Sequence, residues 1–309
     1  MRGRGRTPRA SALAAAALLC AAPLLATHEA GASGGAPARF AVLQAAYYAF
    51  GQAGPTHQRA DERAVLLEHA SEASGPLSDV QHNASDALVN STTRTQLVLL
   101  EYQAPAPANP LASAYALGRF QEFYQADRVP TSIFDGTKRM VAFGQDAPAT
   151  YLQLYEASRS TPAGASIMAR GGIVLTNGYL EAEAAAVADL AGARVYLYAA
   201  LVEDPVPSPE GGRGLRFVVR TFLGGIELTG GHAEGRFNFT RDPGWIESRL
   251  GAALWVQSDG PSEGTPPPAD GAGDGSWSAA LLVAAPAIMI GVLAVLILGL
   301  ARREQSLRR

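Results

Sequence analysis

The sequence is poor in the residues that carry redox and metal chemistry. Its single cysteine, Cys20, lies in an apolar run near the N-terminus. With Cys20 removed by leader cleavage, no thiol remains for a disulfide framework, a cysteine nucleophile or a thiolate metal site. Lysine is nearly absent too, with Lys138 the only one; this reads as a compositional bias toward arginine. No Ser–His–Asp set and no paired carboxylates stand at catalytic spacing. Glu101 and Asp135 fall near strand ends, where a carboxylate is usually solvated. His69 and His82 are not at ligand spacing from His57, so no metal and no cofactor are expected. The absences leave little basis for an enzyme.

Two apolar segments bracket what is present. Arg2, Arg4, Arg6 and Arg9 precede a run from Ala10 to Ala26, followed by Ala30-Gly31-Ala32. This is the pattern of a secretory signal peptide over residues 1–32, with an uncleaved anchor as the alternative. Leu19 before Cys20 does not suit a lipoprotein signal. Ser278 to Leu300 is almost wholly apolar and as a helix would span about 35 Å, enough for a bilayer core of about 30 Å. The arginines of the tail 301–309 orient it toward the cytoplasm. The expected product is a single-pass protein of the cell membrane, with its ectodomain outside, a Gly/Pro-rich linker over 259–276 and a transmembrane helix over 278–300. The outer portion, residues 33–276, carries 17 basic against 26 acidic residues, a net charge of −9. That charge argues against nucleic acid and anionic lipid as partners.

The clearest fold signal runs from Gln96 to Gly144. Leu97-Val98-Leu99-Leu100 reads as a strand buried on both faces. Asn109-Pro110 is expected to open a helix in which Leu117, Phe120 and Tyr124 share a face. Val129-Pro130 then begins a strand, Asp135-Gly136 turns it, and Met140 to Phe143 returns. Upstream, Phe40 to Tyr48 reads as a first strand, Gly51 to Gln58 as a loop, Arg59 to Ala73 as an amphipathic helix, and Ser74 to Thr95 as a polar loop. Three sequons, at Asn83, Asn90 and Asn238, are candidate glycosylation sites.

The run Val129-Pro130-Thr131-Ser132-Ile133-Phe134-Asp135-Gly136 resembles the cis-proline strand of thioredoxin-like proteins. The resemblance implies a cis Val129–Pro130 bond facing a redox site; the residues alone leave a plain edge proline open. Gly54-Pro55-Thr56-His57 resembles the Cys-Pro-x-Cys loop, with Gly54 and His57 in place of the cysteines, so redox catalysis is excluded. His57 would then lie at a helix N-terminus, where a neutral imidazole is favoured, or be a plain exposed polar residue. After a helix near Ala147 to Ser158, Thr161-Pro162-Ala163-Gly164 marks a boundary. The strands expected beyond it, Ile167–Leu175, Tyr179–Ala188, Arg194–Glu203, Leu215–Phe222, Gly225–Leu228, Arg236–Phe239 and Ala252–Gln257, form an immunoglobulin-like β-sandwich.

Leu197 to Asp204, Phe217 to Arg220, Trp245 and Leu254 to Gln257 look like the sandwich that follows such a domain in an outer-membrane-protein family of thioredoxin-like proteins. The expected architecture is therefore α/β plus all-β: a thioredoxin-like domain over 38–160 and a sandwich over 164–258. The expected function is non-enzymatic binding of an extracytoplasmic protein or peptide in a groove of Gly54, Pro55, Thr56, His57, Val129, Pro130 and Thr131. The alternatives are an accessory to a thiol–disulfide oxidoreductase system and a structural component of the cell envelope. Glu203 and Arg220 are expected as an exposed cross-strand pair, with a buried one as the alternative.

Overall fold

The computed structural model describes residues 38–260 apart from 73–74, 105–108, 113–114, 116–117, 127, 142, 188–189, 191, 210 and 212. The expected signal peptide, transmembrane helix, cytoplasmic tail and nearly all of the linker lie outside the described residues. Among the described residues, no helix is long and apolar enough to cross a membrane.

The described residues form a sheet-rich α/β fold with two large sheets and a two-stranded ribbon. Its strands are β1 (Val42–Ala49), β2 (Thr56–Gln58), β3 (Val65–Ser71), β4 (Leu97–Gln103), β5 (Thr131–Phe134), β6 (Lys138–Met140), β7 (Ala165–Val174), β8 (Asn177–Ala186), β9 (Arg194–Glu203), β10 (Val206–Pro207), β11 (Gly214–Leu215), β12 (Val218–Glu227), β13 (His232–Thr240) and β14 (Leu250–Gly260). Two α-helices, α1 (Pro76–Ser91) and α2 (Ala147–Arg159), and a π-helical turn at Gly118–Phe123 complete the elements used below. Eight strands form one sheet in the order β1-β14-β9-β12-β4-β3-β5-β6, and a second sheet runs β13-β8-β7-β2. A separate β10–β11 ribbon lies outside both.

Alternation along two strands explains how one wall serves two cores. In β14, Ala253 and Trp255 enter the core shared with β3, β4 and the helices, while Ala252, Leu254 and Val256 enter the core between the sheets. β9 divides likewise, with Tyr196, Tyr198, Ala200 and Val202 on one side and Val195, Leu197, Ala199 and Leu201 on the other. Successive strand residues point to opposite faces, so a strand buried on both sides must be apolar throughout. The β-sheet half and the α/β half thus share a sheet, joined where β12 and β4 run parallel at Val218 and Glu101.

Several expectations are corrected. The first strand, β1, does not join β3–β6; it pairs antiparallel with β14, the last strand. Residues 65–71, expected in a helix, are strand β3, flanked by β4 and β5. Leucine, alanine and glutamate there favour helix by propensity, and burial on both faces overrides it. Pro76–Ser91, expected as a loop, is helix α1, with Pro76 in its first turn and Asp79 favourably placed near the positive end. Asn109 and Pro110 form a turn rather than a helix start, with the Leu111 amide donating to Asn109 Oδ1 at 3.0 Å. The last strand continues through Asp259 and Gly260, into the expected linker. Leu215–Phe222 and Gly225–Leu228 are largely one bulged strand, β12, with a register shift between Phe222 and Gly224.

The Val129–Pro130 bond is cis. In the three-residue β5–β6 turn, Asp135 and Gly136 both have positive φ, 47° and 73°, a conformation that glycine, and to a lesser degree aspartate, tolerates. A Cβ at Gly136 would overlap the Phe40 carbonyl. Gly136→Ala is therefore expected to destabilise the protein by more than about 1 kcal/mol, read as a lowered midpoint of thermal unfolding.

Candidate functional site

In an open α/β arrangement, ligands meet the sheet outside the carboxyl ends of its parallel strands. Here those ends are Ser71 of β3 and Gln103 of β4. They lie beside the start of β5, because Ala70 pairs with Thr131 and His69 with Ser132. Beneath this end is a buried polar network. His82 Nε2 lies 2.9 Å from Glu101 Oε1, the same oxygen that accepts from Ser71 Oγ at 3.1 Å and Gln103 Nε2 at 2.6 Å. Gln81 Nε2 donates to the Thr131 carbonyl at 2.9 Å and to Ser132 Oγ at 2.8 Å. Ser132 and Tyr151 share a hydrogen bond, and the Tyr151 hydroxyl also lies 3.1 Å from His69 Nε2.

Burial sets the electrostatics of this network. Desolvation, followed by the charge of nearby His82, holds His69 well below the ordinary histidine range. Desolvation likewise raises Tyr151 far above an ordinary phenol, against hydrogen bonds from Ser132 and Gln81. His69, Gln81, Ser132 and Tyr151 are sealed from solvent, so the network ties β3, β4, β5, α1 and α2 together rather than meeting a substrate. Among the described residues, no group of three His, Cys, Asp or Glu side chains is arranged to hold a metal ion. Two apolar side chains reach solvent at this end, Leu77, in the first turn of α1, 53% exposed, and Val129, just before β5, 41% exposed; Glu72 and Arg128 beside them are exposed too. Pro130 and Thr131 are buried beside Val129.

The structure does not bring the expected groove together. Gly54 and Pro55 lead into β2, where Thr56 and His57 pair with Ala169 and Met168 of β7 in the second sheet. Val129, Pro130 and Thr131 belong to the eight-stranded sheet. Strand β2, rather than a helix, follows Gly54-Pro55, so His57 does not sit at a helix N-terminus; it is exposed. The asparagines of the three sequons, Asn83, Asn90 and Asn238, are all exposed. Asn83 and Asn90 ride on helix α1 rather than a loop, Asn238 lies on β13, and Asn83 Oδ1 accepts from Arg213 Nη1 at 2.7 Å.

Three carboxylates expected to be solvated, Glu101, Asp135 and Glu203, are buried, and a fourth buried one, Glu68, stands at the centre of its own cluster. Glu101 lies in the network above, and Asp135 pairs with Arg63 at 2.6 Å. Glu203 pairs with Arg220 at 2.7 Å and accepts the Ile246 amide, so the buried form of that pair is the one observed. The fourth, Glu68, had no assigned role. It takes two hydrogen bonds from Arg119, at 2.9 and 3.0 Å, and one each from Tyr102 and Tyr124. Arg119 continues to Gln257 of β14 at 2.7 Å. Burial alone would lower Arg119; Glu68 and the surrounding tyrosines offset it and hold the guanidinium above its ordinary value. At the opposite, amino ends of β3 and β4 lies a cleft of about 620 Å³, lined by Asp61, Glu62, Arg63, Thr95, Arg159 and Ser160 among others. Its lining is mostly polar and holds no aromatic side chain, unlike the largely apolar walls of a small-molecule site.

No protein-family model matches this sequence, and no curated protein matches it. Its fold is similar to that of HBP35 of Porphyromonas gingivalis, with a TM-score of 0.51 over 68% of this chain and 81% of that one, at 11% sequence identity.

Proposed function

We propose that this chain is a non-enzymatic binding protein whose α/β half is thioredoxin-like without redox cysteines, and that it docks an extracytoplasmic protein or peptide while held at the cell membrane by residues 278–300. The element order β3-α1-β4, then β5-β6-α2, with strands in the order β4-β3-β5-β6, supports the fold reading. The resemblance puts the redox loop between a strand and the helix that follows it. With β3 and α1 as that pair, the corresponding stretch of sequence is Glu72 to Leu77, Glu-Ala-Ser-Gly-Pro-Leu, rather than Gly54 to Asp61. Neither stretch holds a cysteine.

The observation that carries the binding reading is the pair of exposed apolar side chains, Leu77 and Val129, at the carboxyl end of the parallel strands. Exposed aliphatic side chains on rigid, hydrogen-bonded supports suit an apolar contact with a partner. Fold alone does not fix this role. The test is crosslinked capture from an extracytoplasmic fraction by the full chain and by Leu77→Arg/Val129→Arg. We expect a specific partner to be lost by about tenfold or more in the variant, equivalent to about 1.4 kcal/mol or more. A control change at His57, in the other sheet, should leave capture intact. Equal capture by wild type and the double variant, both folded, would overturn the reading.

A further inference from the structure

The network under the proposed docking end has one weak member. His69 Nε2 is bonded to Tyr151, while His69 Nδ1 has no hydrogen-bond partner and is buried. A neutral imidazole needs one donor and one acceptor; an imidazolium has two donors and no acceptor. The neutral ring can accept the Tyr151 proton at Nε2. The charged ring cannot; it can only donate from Nε2 to the Tyr151 oxygen, and it leaves a full charge buried with its Nδ1–H facing no acceptor. Its neighbours are Glu101 from β4, Ser132 from β5, Gln81 and His82 from α1, and Tyr151 from α2. Glu101 is already engaged by His82, Ser71 and Gln103 through one oxygen, and His82 adds repulsion rather than relief. Protonation of His69 is thus compatible with an opened arrangement, not with the closed one.

What opens is specific. Tyr151 holds Ser132 from α2, and Gln81 holds Ser132 and the Thr131 carbonyl from α1. Both grip the strand that follows Val129. We infer that His69 with Tyr151, Gln81 and Ser132 forms an acid-released latch on the strand that presents Val129, closed when the imidazole is neutral and opened when it takes a proton. Its consequence for partner binding rests on the docking role proposed above; the latch itself is a property of the free protein.

The sign follows from linkage. The open form binds a proton near the ordinary histidine pKa of about 6.5, and the closed form does not. The open fraction therefore rises as pH falls below that value, by up to about tenfold per pH unit for one proton. The experiment is amide hydrogen exchange at Ser132 and Ile133 in the full-length protein, corrected for intrinsic exchange, between about pH 7.5 and about pH 5. Wild type should lose protection toward acid at these amides. His69→Gln keeps a hydrogen-bonding side chain without a titrating ring and should flatten the dependence. Tyr151→Phe, which leaves His69 in place, should raise exchange at the upper pH by severing the latch. Parallel pH dependence in wild type and His69→Gln would overturn the inference. So would unchanged protection of β5 in Tyr151→Phe, which decides the matter if His69→Gln does not fold. A failed capture experiment beside an intact exchange result would remove the docking role and leave the latch.

Discussion

Replacing Arg119 with methionine is expected to cost about 3–5 kcal/mol of stability, because it leaves a buried carboxylate without its cation. Arg119 and Glu68 are both fully buried. Their attraction must offset the desolvation of two ions, and it does so through several hydrogen bonds at once. The guanidinium bonds both oxygens of Glu68, the Tyr124 hydroxyl and Gln257 Oε1, and lies 5.3 Å from the centre of the Trp255 ring. Methionine fills much of the volume and restores none of these. The second change decides between mechanisms. In Arg119→Met/Glu68→Gln the stranded charge is gone, so most of the lost stability should return. If instead the loss reflects packing against the aromatic rings, the double variant should remain as unstable as the single one. Urea midpoints for the four corners of the cycle measure this. A single-variant loss below about 1 kcal/mol would show that the pair contributes no more than an exposed ion pair does.

The same residue shows why part of this fold was hidden in the sequence. Strand β9 coincides with the expected Arg194–Glu203, and β7, β8 and α2 fall within a few residues of expectation, because alternation or helical spacing is plain there and turns punctuate each end. The β3–α1 unit was read in inverse. Helix α1 buries Ser78, Gln81, His82 and Ser85 together with Ala84 and Leu88, so its inward face is polar and no apolar stripe announces a helix. Strand β3 hides Glu68 and His69 within an apolar run, and a pattern argument assigns charged residues to the surface. Both misreadings have one cause: these side chains satisfy each other in three dimensions, and a linear pattern cannot represent the partner. The end proposed for docking was half legible. Val129 to Thr131 were singled out by their resemblance to the cis-proline strand, while Leu77 stayed hidden with the helix that carries it. A signal was available: Gly75-Pro76 followed by Asp79 is a helix start of ordinary kind, with proline tolerated in the first turn and an acid near the N-terminus.

Trp255→Ala is expected to cost about 3–5 kcal/mol and to lower the stability of both halves in one transition. Trp255 is fully buried on β14, against Tyr198 and Phe222, and its indole N–H donates to Gln257 Oε1 at 3.1 Å. Removing the ring empties a site whose walls are held by strands on either side and cannot collapse far, which is what makes a cavity costly. The effect should not stay in one half. Strand β14 pairs with both β1 and β9, and its alternate residues line both cores. Gln257 beside it receives Arg119, which reaches Glu68 in the α/β half. Two independent domains would instead give two transitions, with the α/β half keeping its wild-type midpoint. Far-ultraviolet circular dichroism and exchange protection at β3 and β4 amides, followed through the same urea series, separate these outcomes. Coincident midpoints shifted together make the eight-stranded sheet one cooperative unit. A wild-type midpoint for β3 and β4 beside a shifted one for β9 and β14 would show that the parallel contact at Val218 and Glu101 is a seam along which the halves unfold separately.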